Sequence, residues 1–363
     1  MPIPLGITFD DVLLVPQKSS ASPSKVSTAT QLTSRVRLGI PLLSASMDTV
    51  TESRLAIALA QAGGLGVVHK NMPAARQAAE VKKVKAQNLL CGAAISVSEQ
   101  ELERARLLIA AGVDVLITDV AHGHYYKVAQ TLRALKKRYG KKVVLVGGNV
   151  ATAAATRDLI AAGADVVKVG VGPGSICTTR VVAGVGVPQL TAILEAVKAA
   201  RKTKTPIIAD GGIKYSGDIV KALAAGASAV MLGSMLAGTD EAPGEKVKIN
   251  GQWMKVYRGM GSIDAMQHGS KDRYLQADKK TGKEMIAEGV SAFVPYKGSA
   301  KDVVYQLIGG LRQGLGYCGS QDIPQLWRKA RFIQITNAGL RESHPHGLQG
   351  MKAAPNYRSG EFL

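Results

Sequence analysis

Short apolar runs alternate with longer amphipathic stretches over most of the chain. The apolar runs predict eight buried strands, at Leu42–Ala45, Leu65–His69, Gly92–Ser96, Val113–Asp119, Val143–Gly147, Val166–Gly170, Pro206–Asp210 and Ala229–Leu232. The stretches between them repeat apolar residues with a helical period and predict helices at Glu52–Ala62, Ala74–Lys85, Glu99–Ala111, Tyr126–Tyr139, Ala151–Ala162, Gln189–Arg201 and Gly217–Ala225. Several of these helices end in an Ala-Gly pair, which is typical of a helix carboxyl terminus.

Eight strand–helix units in regular succession predict the fold class. We expect an α/β protein built as a (β/α)8 TIM barrel, in which parallel strands close into a cylinder inside a ring of helices. A doubly wound open sheet is the alternative. It fits less well, because eight near-regular units are many for an open sheet and no dinucleotide-binding fingerprint opens the chain.

The regular alternation ends after the eighth predicted strand. Residues 239–300 are polar and rich in Gly and Lys, and Asn250-Gly251 within them predicts a hairpin turn. A helix predicted at Lys301–Gln313 then resumes the barrel. Because the insertion follows strand eight on the catalytic face, we expect it to be an active-site lid. Residues 339–363 predict an irregular tail, and the whole chain, 1–363, is expected to form one catalytic domain.

The composition adds a strong positive charge to this picture. The formal net charge of +19 favours a basic surface that attracts anionic ligands. The basic residues lack interleaved aromatics, zinc-finger spacing or a helix-turn-helix pattern, so specific nucleic-acid binding is not expected. No apolar run is long enough for a membrane span, and no signal peptide is visible. Three cysteines without a CxxC pair fit a reduced, cytoplasmic compartment.

The most informative segment is the loop Gly170-Val-Gly-Pro-Gly-Ser-Ile-Cys-Thr-Thr-Arg180, which directly follows the sixth predicted strand. Its alternate glycines let the backbone approach a ligand closely. A cysteine attacks as its thiolate, and nearby backbone dipoles and a helix start would favour that form. Cys177 is therefore predicted to be a nucleophile on a nucleotide-binding loop, whereas Cys91 is expected in the core and Cys318 is more consistent with a structural role.

Polar residues gather where the predicted strands end, which is where barrels place their active sites. The backbone of Gly212, Gly233 and Ser234 predicts a phosphate site after strands seven and eight. Asp210 beside it suits the hydroxyls of a ribose, and Asp119 could do the same for a second nucleotide or simply cap its loop. His122 and His124 lack a third ligand at good spacing, so a metal pair is not expected there.

Motifs along nearly the whole chain resemble one known family. They are Thr8-Phe-Asp-Asp-Val-Leu-Leu-Val-Pro16, Met47-Asp-Thr-Val-Thr-Glu52, Gly63-Gly-Leu-Gly-Val-Val-His-Lys-Asn71, Ala121-His-Gly-His124, Gly172-Pro-Gly-Ser-Ile-Cys-Thr-Thr-Arg180, Gly184-Val-Gly-Val-Pro-Gln189, Ala209-Asp-Gly-Gly-Ile213, Tyr257-Arg-Gly-Met-Gly-Ser262 and Glu342-Ser-His-Pro-His346. Together they resemble the inosine-5′-monophosphate (IMP) dehydrogenases, oxidoreductases of guanine nucleotide synthesis.

The resemblance implies a reaction in two steps. Cys177 would attack C2 of the hypoxanthine ring and hydride would pass to NAD, leaving a covalent thioimidate. The lid would then enter the vacated nicotinamide site, and water would release xanthosine monophosphate. The lid pair Arg273 and Tyr274 would activate that water, although arginine is a poor base at its reference pKa. Thr179 and Glu288 match an alternative proton relay.

The resemblance also implies the ligand sets. Substrate would be held by Met47, Asn149, Ser175, Asp210, Gly211, Gly212, Gly233, Ser234, Tyr257, Met260, Gly261 and Glu288, and NAD by Asp119, Gly170 and Gly172. A potassium ion would be bound by backbone carbonyls of Gly172, Gly174 and Cys177. Glu342, Ser343 and His344 of a neighbouring subunit would complete that site, so a homotetramer is implied.

Two departures from the family and one rival family bear on these expectations. The regulatory cystathionine-β-synthase-type module is absent near residues 86–89, and Val120 stands where a serine is common.

Guanosine monophosphate reductase is the alternative enzyme, since it shares the barrel and the cysteine loop. Arg180-Val-Val-Ala-Gly differs from its Lys-Lys-Thr-Gly, and Arg258-Gly-Met-Gly-Ser262 from its Gly-Met-Ser-Ser-Glu, so the dehydrogenase is favoured. A non-catalytic nucleotide- or nucleic-acid-binding protein is suggested only by the charge.

Overall fold

A computed structural model describes residues 2–140, 142–349, 352 and 354–357. The strands are β1 (Val12–Leu14), β2 (Thr30–Thr33), β3 (Val36–Leu38), β4 (Leu42–Ser44), β5 (Leu65–Val68), β6 (Cys91–Ile95), β7 (Val115–Asp119), β8 (Val144–Val150), β9 (Val166–Val169), β10 (Ile207–Asp210), β11 (Ala229–Leu232), β12 (Lys246–Ile249), β13 (Gln252–Arg258), β14 (Ser291–Pro295) and β15 (Phe332–Gln334).

The helices separate and surround these strands. They are α1 (Ser53–Gln61), α2 (Ala74–Lys85), α3 (Glu99–Ala110), α4 (Tyr126–Tyr139), α5 (Ala153–Ala161), α6 (Thr179–Val182), α7 (Gln189–Ala200), α8 (Ser216–Ala224), α9 (Ser234–Ala237), α10 (Ile263–Ala265), α11 (Ala300–Tyr317), α12 (Ile323–Lys329) and α13 (Asn337–Glu342). Single turns of other helix types lie at Phe9–Asp11, Met266–Ser270, Lys271–Tyr274 and Gly282–Glu284.

Strands β4 to β11 form a closed, all-parallel barrel, which confirms the predicted (β/α)8 fold. Each predicted barrel strand is present. Their runs of Val, Ile, Leu and Ala are buried on both faces, as strands enclosed by helices must be. The largest difference in bounds is at β8, which continues through Val150. Helix α5 consequently starts at Ala153, where the Thr152 side chain accepts a hydrogen bond from the Ala155 amide.

A hairpin that the sequence analysis missed covers one end of the barrel. Strands β2 and β3 pair antiparallel, and their Leu32, Val36 and Leu38 pack with side chains from the barrel interior. The Thr30 hydroxyl donates to the carbonyl of Ser228, just before β11. The hairpin therefore lies at the amino-terminal ends of the strands, which leaves the carboxyl ends available for the site.

The insertion after β11 contains a three-stranded antiparallel sheet, in the order β12-β13-β14. The predicted turn is present, since Asn250 and Gly251 have φ values of 48° and 81° between two paired strands. The predicted eighth helix is α11, which starts one residue earlier than expected and continues to Tyr317. In the tail, α13 is helical as far as Glu342, while residues 350, 351, 353 and 358–363 lie outside the described residues. Within the described chain, no helix is long and apolar enough to cross a membrane.

Candidate active site

A cavity of about 340 Å³ opens at the carboxyl ends of the barrel strands. Its walls combine glycine-rich backbone with a few polar side chains, which is typical of a nucleotide pocket. The predicted residues that line it are Met47, Asn149, Gly170, Gly172, Gly174, Ser175, Cys177, Thr179, Asp210, Gly211, Gly212, Gly233, Ser234, Tyr257, Met260, Arg273 and Tyr274. Asp119 and Glu288 are not in this lining but hydrogen-bond to the lining residues Arg273 and Thr179. Gly261, Glu342, Ser343 and His344 are not part of the lining either.

The cysteine loop is held in place by the end of the lid. The Val290 amide donates to the carbonyl of Ile176 at 3.0 Å, and the Thr178 amide donates to the carbonyl of Glu288 at 3.0 Å. Cys177 itself is partly exposed, whereas Cys91 and Cys318 are buried. Burial raises the pKa of the Cys91 thiol to about 12, so this thiol is confirmed as a core residue.

A continuous hydrogen-bonded chain runs from the Cys177 sulfur to a carboxylate. The thiol donates to Oγ1 of Thr179 at 3.2 Å, and that hydroxyl donates to Oε2 of Glu288 at 2.7 Å. The Glu288 amide in turn donates to the carbonyl of Gly261 at 3.0 Å, which fixes the backbone of this lid segment. A proton can therefore move between the Cys177 sulfur and Glu288 through one hydroxyl group.

The predicted phosphate loops carry the backbone that such a site needs. Gly211 and Gly212 both have positive φ, at 90° and 79°, so only glycine takes this path without strain. A side-chain carbon on Gly233 would stand 2.7 Å from the Tyr257 hydroxyl, so the close approach of these two residues excludes any other residue there. Tyr257 is buried, and burial raises the pKa of its phenol, so it remains a neutral donor.

The sequence analysis missed the most buried charge of the site, Lys168 on β9. Its side chain is 1% exposed, and its ammonium contacts Asp210 at 2.6 Å, Asp119 at 3.1 Å and the amide oxygen of Asn149. The Asn149 amide nitrogen also donates to Asp210, at 2.8 Å. A single lysine inside the valine run of β9 was the available signal, because a residue that faces a barrel interior needs partners there.

The insertion after β11, predicted to be a lid, folds back over this end of the barrel. The Arg273 guanidinium donates to the Asp119 carboxylate, which also accepts from the Ser46 hydroxyl at 2.7 Å. The Ala121 amide donates to the carbonyl of Arg273 at 3.0 Å, so backbone and side chain are both held. Asp119 thus faces the lid in this structure.

The electrostatics of this pair favour two charged groups. Burial acts to raise the pKa of Asp119, but the charges of Arg273 and Lys168 lower it more, and the net pKa lies below its ordinary value. Burial acts to lower the pKa of Arg273, but Asp119 raises it more, so the guanidinium remains a cation. Burial raises the pKa of the neighbouring Tyr274 phenol to about 12.

The remaining histidine candidates lie apart from this chemistry. The exposed side chain of His124 hydrogen-bonds to the Asp158 carboxylate at 2.7 Å. Among the residues that the structure describes, no group of three or more His, Cys, Asp and Glu side chains is placed to hold a metal ion.

The protein is a closed (β/α)8 barrel with a glycine-lined pocket, a cysteine hydrogen-bonded through a hydroxyl to a carboxylate, and an insertion folded over the pocket. This combination is typical of barrel enzymes that act on nucleotides. The family model described as "IMP dehydrogenase / GMP reductase domain" matches residues 6–346. The chain therefore belongs to this family.

Curated relatives cover nearly the whole chain. It is 43% identical to the inosine-5′-monophosphate dehydrogenase of Aquifex aeolicus, with 97% of each protein covered. It is 49% identical to that of Cryptosporidium parvum, over 97% of this chain and 98% of the relative. It is 42% identical to that of Bacillus subtilis, with the same two shares covered.

Proposed function

We propose that this chain oxidises IMP to xanthosine 5′-monophosphate with NAD⁺ and water, the committed step of guanine nucleotide synthesis. The observation that carries the proposal is the hydrogen-bonded chain Cys177–Thr179–Glu288 at the wall of a nucleotide-like pocket. The similarity to dehydrogenases at 42–49% identity, together with the motifs that depart from guanosine monophosphate reductase, favours this reaction over the reductase.

The substrate is proposed to lie with its phosphate on the backbone of Gly212, Gly233 and Ser234 and its ribose on Asp210. The Tyr257 phenol and Ser175 complete the phosphate end, and Met47, Met260, Gly211 and Asn149 surround the remainder of the nucleotide. Gly261 and Glu288, which do not line the cavity, are assigned to the base together with Met260. In this placement, C2 of the base is proposed to lie against the Cys177 sulfur. The Lys168 ammonium holds the ribose-binding carboxylate in place from behind.

In the first step, the Cys177 thiolate would form a bond to C2 while the hydride on C2 leaves with its electron pair, and bound NAD⁺ would supply the two-electron acceptor. The product is a thioimidate, still bound through sulfur. We assign Asp119, Gly170 and Gly172 to the dinucleotide. The Asp119 carboxylate suits a ribose diol. In the closed lid, however, Arg273 binds this carboxylate, so the closed lid and the dinucleotide cannot bind Asp119 at the same time.

In the second step, water adds to C2 and the carbon–sulfur bond breaks, which releases the product and regenerates the thiolate. Arg273 and Tyr274 are proposed to position and polarise this water from the closed lid. Because Asp119 keeps Arg273 protonated in the position described, we assign the proton of the water to the Thr179–Glu288 relay. Arg273 then contributes a fixed positive charge beside the developing hydroxide.

Three further properties are proposed with this function. The carbonyls of Gly172, Gly174 and Cys177 are hard oxygen donors that suit potassium, and this ion would order the cysteine loop. Because Glu342, Ser343 and His344 do not line the site of their own chain, we propose that they complete the site of a neighbour within a homotetramer. The enzyme is proposed to be cytoplasmic.

We also propose that the chain lacks the regulatory module, so purine nucleotides would not control it through such a module. Two observations support this. Helix α2 ends at Lys85 and β6 begins at Cys91, which leaves only a short connection. The alignment with the Aquifex aeolicus relative spans 481 positions, which is more than the 363 residues of this chain, so the relative contains residues without a counterpart here.

The experiment is a spectrophotometric assay with IMP, NAD⁺ and potassium. A steady rise of NADH absorbance is the expected result. Consumption of NADPH with guanosine monophosphate, in the absence of such a rise, would instead identify the reductase. Absence of both reactions in the folded protein would contradict catalysis altogether and favour the binding-protein alternative.

A further inference from the structure

The lid turn Lys271–Tyr274 docks on the barrel through two neighbouring side chains of opposite charge. Arg273 meets Asp119 at the end of β7. Asp272, one residue earlier, meets Lys70 in the loop after β5, with 2.5 Å between the ammonium nitrogen and a carboxylate oxygen. The two ion pairs thus hold the same turn at the ends of two different strands.

Lys70 is unusual among the basic residues of this chain because it is buried. Its side chain is 6% exposed, whereas that of Asp272 is 28% exposed. Among the described residues, the Asp272 carboxylate is the sole hydrogen-bond or ion-pair partner of this ammonium. A buried charge that loses its partner is costly. An open lid would remove this partner, so Lys70 stabilises the closed position.

The loop that carries Lys70 is itself held rigidly. The side-chain amide of Asn71 donates to the Asp48 carboxylate at 2.6 Å, and this carboxylate also accepts from Arg258 at 2.6 Å. The Met72 amide donates to the carbonyl of Lys70 at 2.7 Å. The Lys70 ammonium therefore has a fixed position, and its contact with Asp272 forms only when the lid closes.

We propose that Lys70 is a positioning residue for the hydrolysis step, acting through Asp272 to hold Arg273 at the reacting centre. The inference rests on the proposed function, in which the closed lid and the bound dinucleotide alternate. Lys70 favours the closed state, so it favours hydrolysis and opposes dinucleotide binding. Lys70 does not line the pocket and acts only through the position of its lid partner.

The test replaces Lys70 by Met and Asp272 by Asn, singly and together. With Lys70→Met, the first turnover of NADH in a stopped-flow experiment should keep its rate within about twofold, while steady-state turnover falls on the order of tenfold. The KM for NAD⁺ should fall as well, since the open lid becomes more populated. The double variant should be no slower than either single variant, because both remove the same contact.

Two control variants separate this role from general damage. Lys70→Arg keeps the charge and should retain most of the steady-state rate. Lys283→Met removes a positive charge from an exposed position of the lid and should leave both phases unchanged. Equal slowing of the two phases in Lys70→Met, or additive losses in the double variant, would overturn the proposal.

A second readout does not depend on the reaction. Backbone hydrogen exchange of residues 269–289 should accelerate in Lys70→Met and remain at the parent rate in Lys283→Met. Unchanged exchange of this segment in Lys70→Met would overturn the role of Lys70 even if the parent protein is inactive. Inactivity of the parent with IMP and NAD⁺, together with accelerated exchange, would instead overturn the proposed function and leave the docking contact standing.

Discussion

The Lys168 ammonium lies 2.6 Å from the Asp210 carboxylate, and it also contacts Asp119 from the same buried position. Lys168 thereby connects the carboxylate assigned to the substrate ribose with the carboxylate on which the lid docks. The Asp119 side chain is 3% exposed and the Asp210 side chain 17%, so Lys168 supplies much of the charge compensation that solvent would otherwise provide. Lys168 thus fixes the positions of Asp210 and Asp119 relative to each other.

Replacement of Lys168 by Met should leave the buried carboxylate of Asp119 and the partly buried carboxylate of Asp210 without their shared cation. We expect the free energy of unfolding to fall by about 3–5 kcal/mol, and the KM for IMP to rise as Asp210 loses its orientation. Urea denaturation and initial-rate kinetics measure the two effects. Lys198→Met, on the exposed side of α7, is the matched control and should change neither quantity. A Lys168→Met protein with parental stability would contradict the network.

The Thr179–Glu288 contact predicts a step-specific defect. Glu288→Gln keeps the size of the side chain but removes the carboxylate that accepts the proton. We expect hydrolysis to slow on the order of 10²-fold, while the first turnover of NADH remains near the parental rate. Stopped-flow absorbance separates the two phases. A loss confined to the first turnover would show that Glu288 serves hydride transfer and not hydrolysis.

The depressed pKa of Asp119 predicts how its contribution to stability depends on pH. A carboxyl whose pKa is lower in the folded state stabilises the fold above its ordinary pKa of about 4, and this contribution is lost as pH falls through the folded-state value. Asp119→Asn should therefore lower the free energy of unfolding at pH 7, by about 3 kcal/mol. The difference in free energy of unfolding between the parent and Asp119→Asn should become smaller below about pH 4.

Urea denaturation at a series of pH values measures this gap. Asp278→Asn, at a side chain that is 73% exposed, serves as the control and should show no gap at any pH. If the difference in free energy of unfolding between the parent and Asp119→Asn stayed constant from pH 7 to pH 3, the ion pair could not be its source.

Replacement of potassium by sodium tests the proposed cation site on the cysteine loop. The carbonyls of Gly172, Gly174 and Cys177 can adapt to a large ion, whereas a smaller ion would draw the loop out of position. Steady-state turnover should fall in sodium and recover when potassium is restored. Equal turnover rates in the two salts at matched ionic strength would contradict the proposed potassium site.

The barrel could be predicted because its signal is local and repeated. Each strand is an apolar run and each helix an amphipathic one, so eight units were visible before any contact was known. The β2–β3 hairpin was not, because Thr30–Thr33 and Val36–Leu38 are short and become buried only when the barrel is present. Its stability comes from tertiary packing, which no local pattern contains.

The candidate site divides in the same way. Cys177 and the glycine loops could be found because unusual residues follow strand ends, and the pocket brings most of these candidates together. The partners of Asp119 could not be found. Arg273 is 154 residues away along the chain, and its choice of carboxylate depends on how the lid folds back. Lys168 was visible as a charge within an apolar strand, but its three partners come from different strands.

The central claim is that Cys177 forms a covalent bond to the base of IMP, and mass spectrometry of the rapidly quenched reaction tests it most directly. With IMP, NAD⁺ and potassium, the peptide that contains Cys177 should gain the mass of the oxidised nucleotide, and the peptides that contain Cys91 and Cys318 should not. Cys177→Ala should bind IMP but form neither adduct nor NADH. An active enzyme without this adduct, or substantial turnover by Cys177→Ala, would contradict the account.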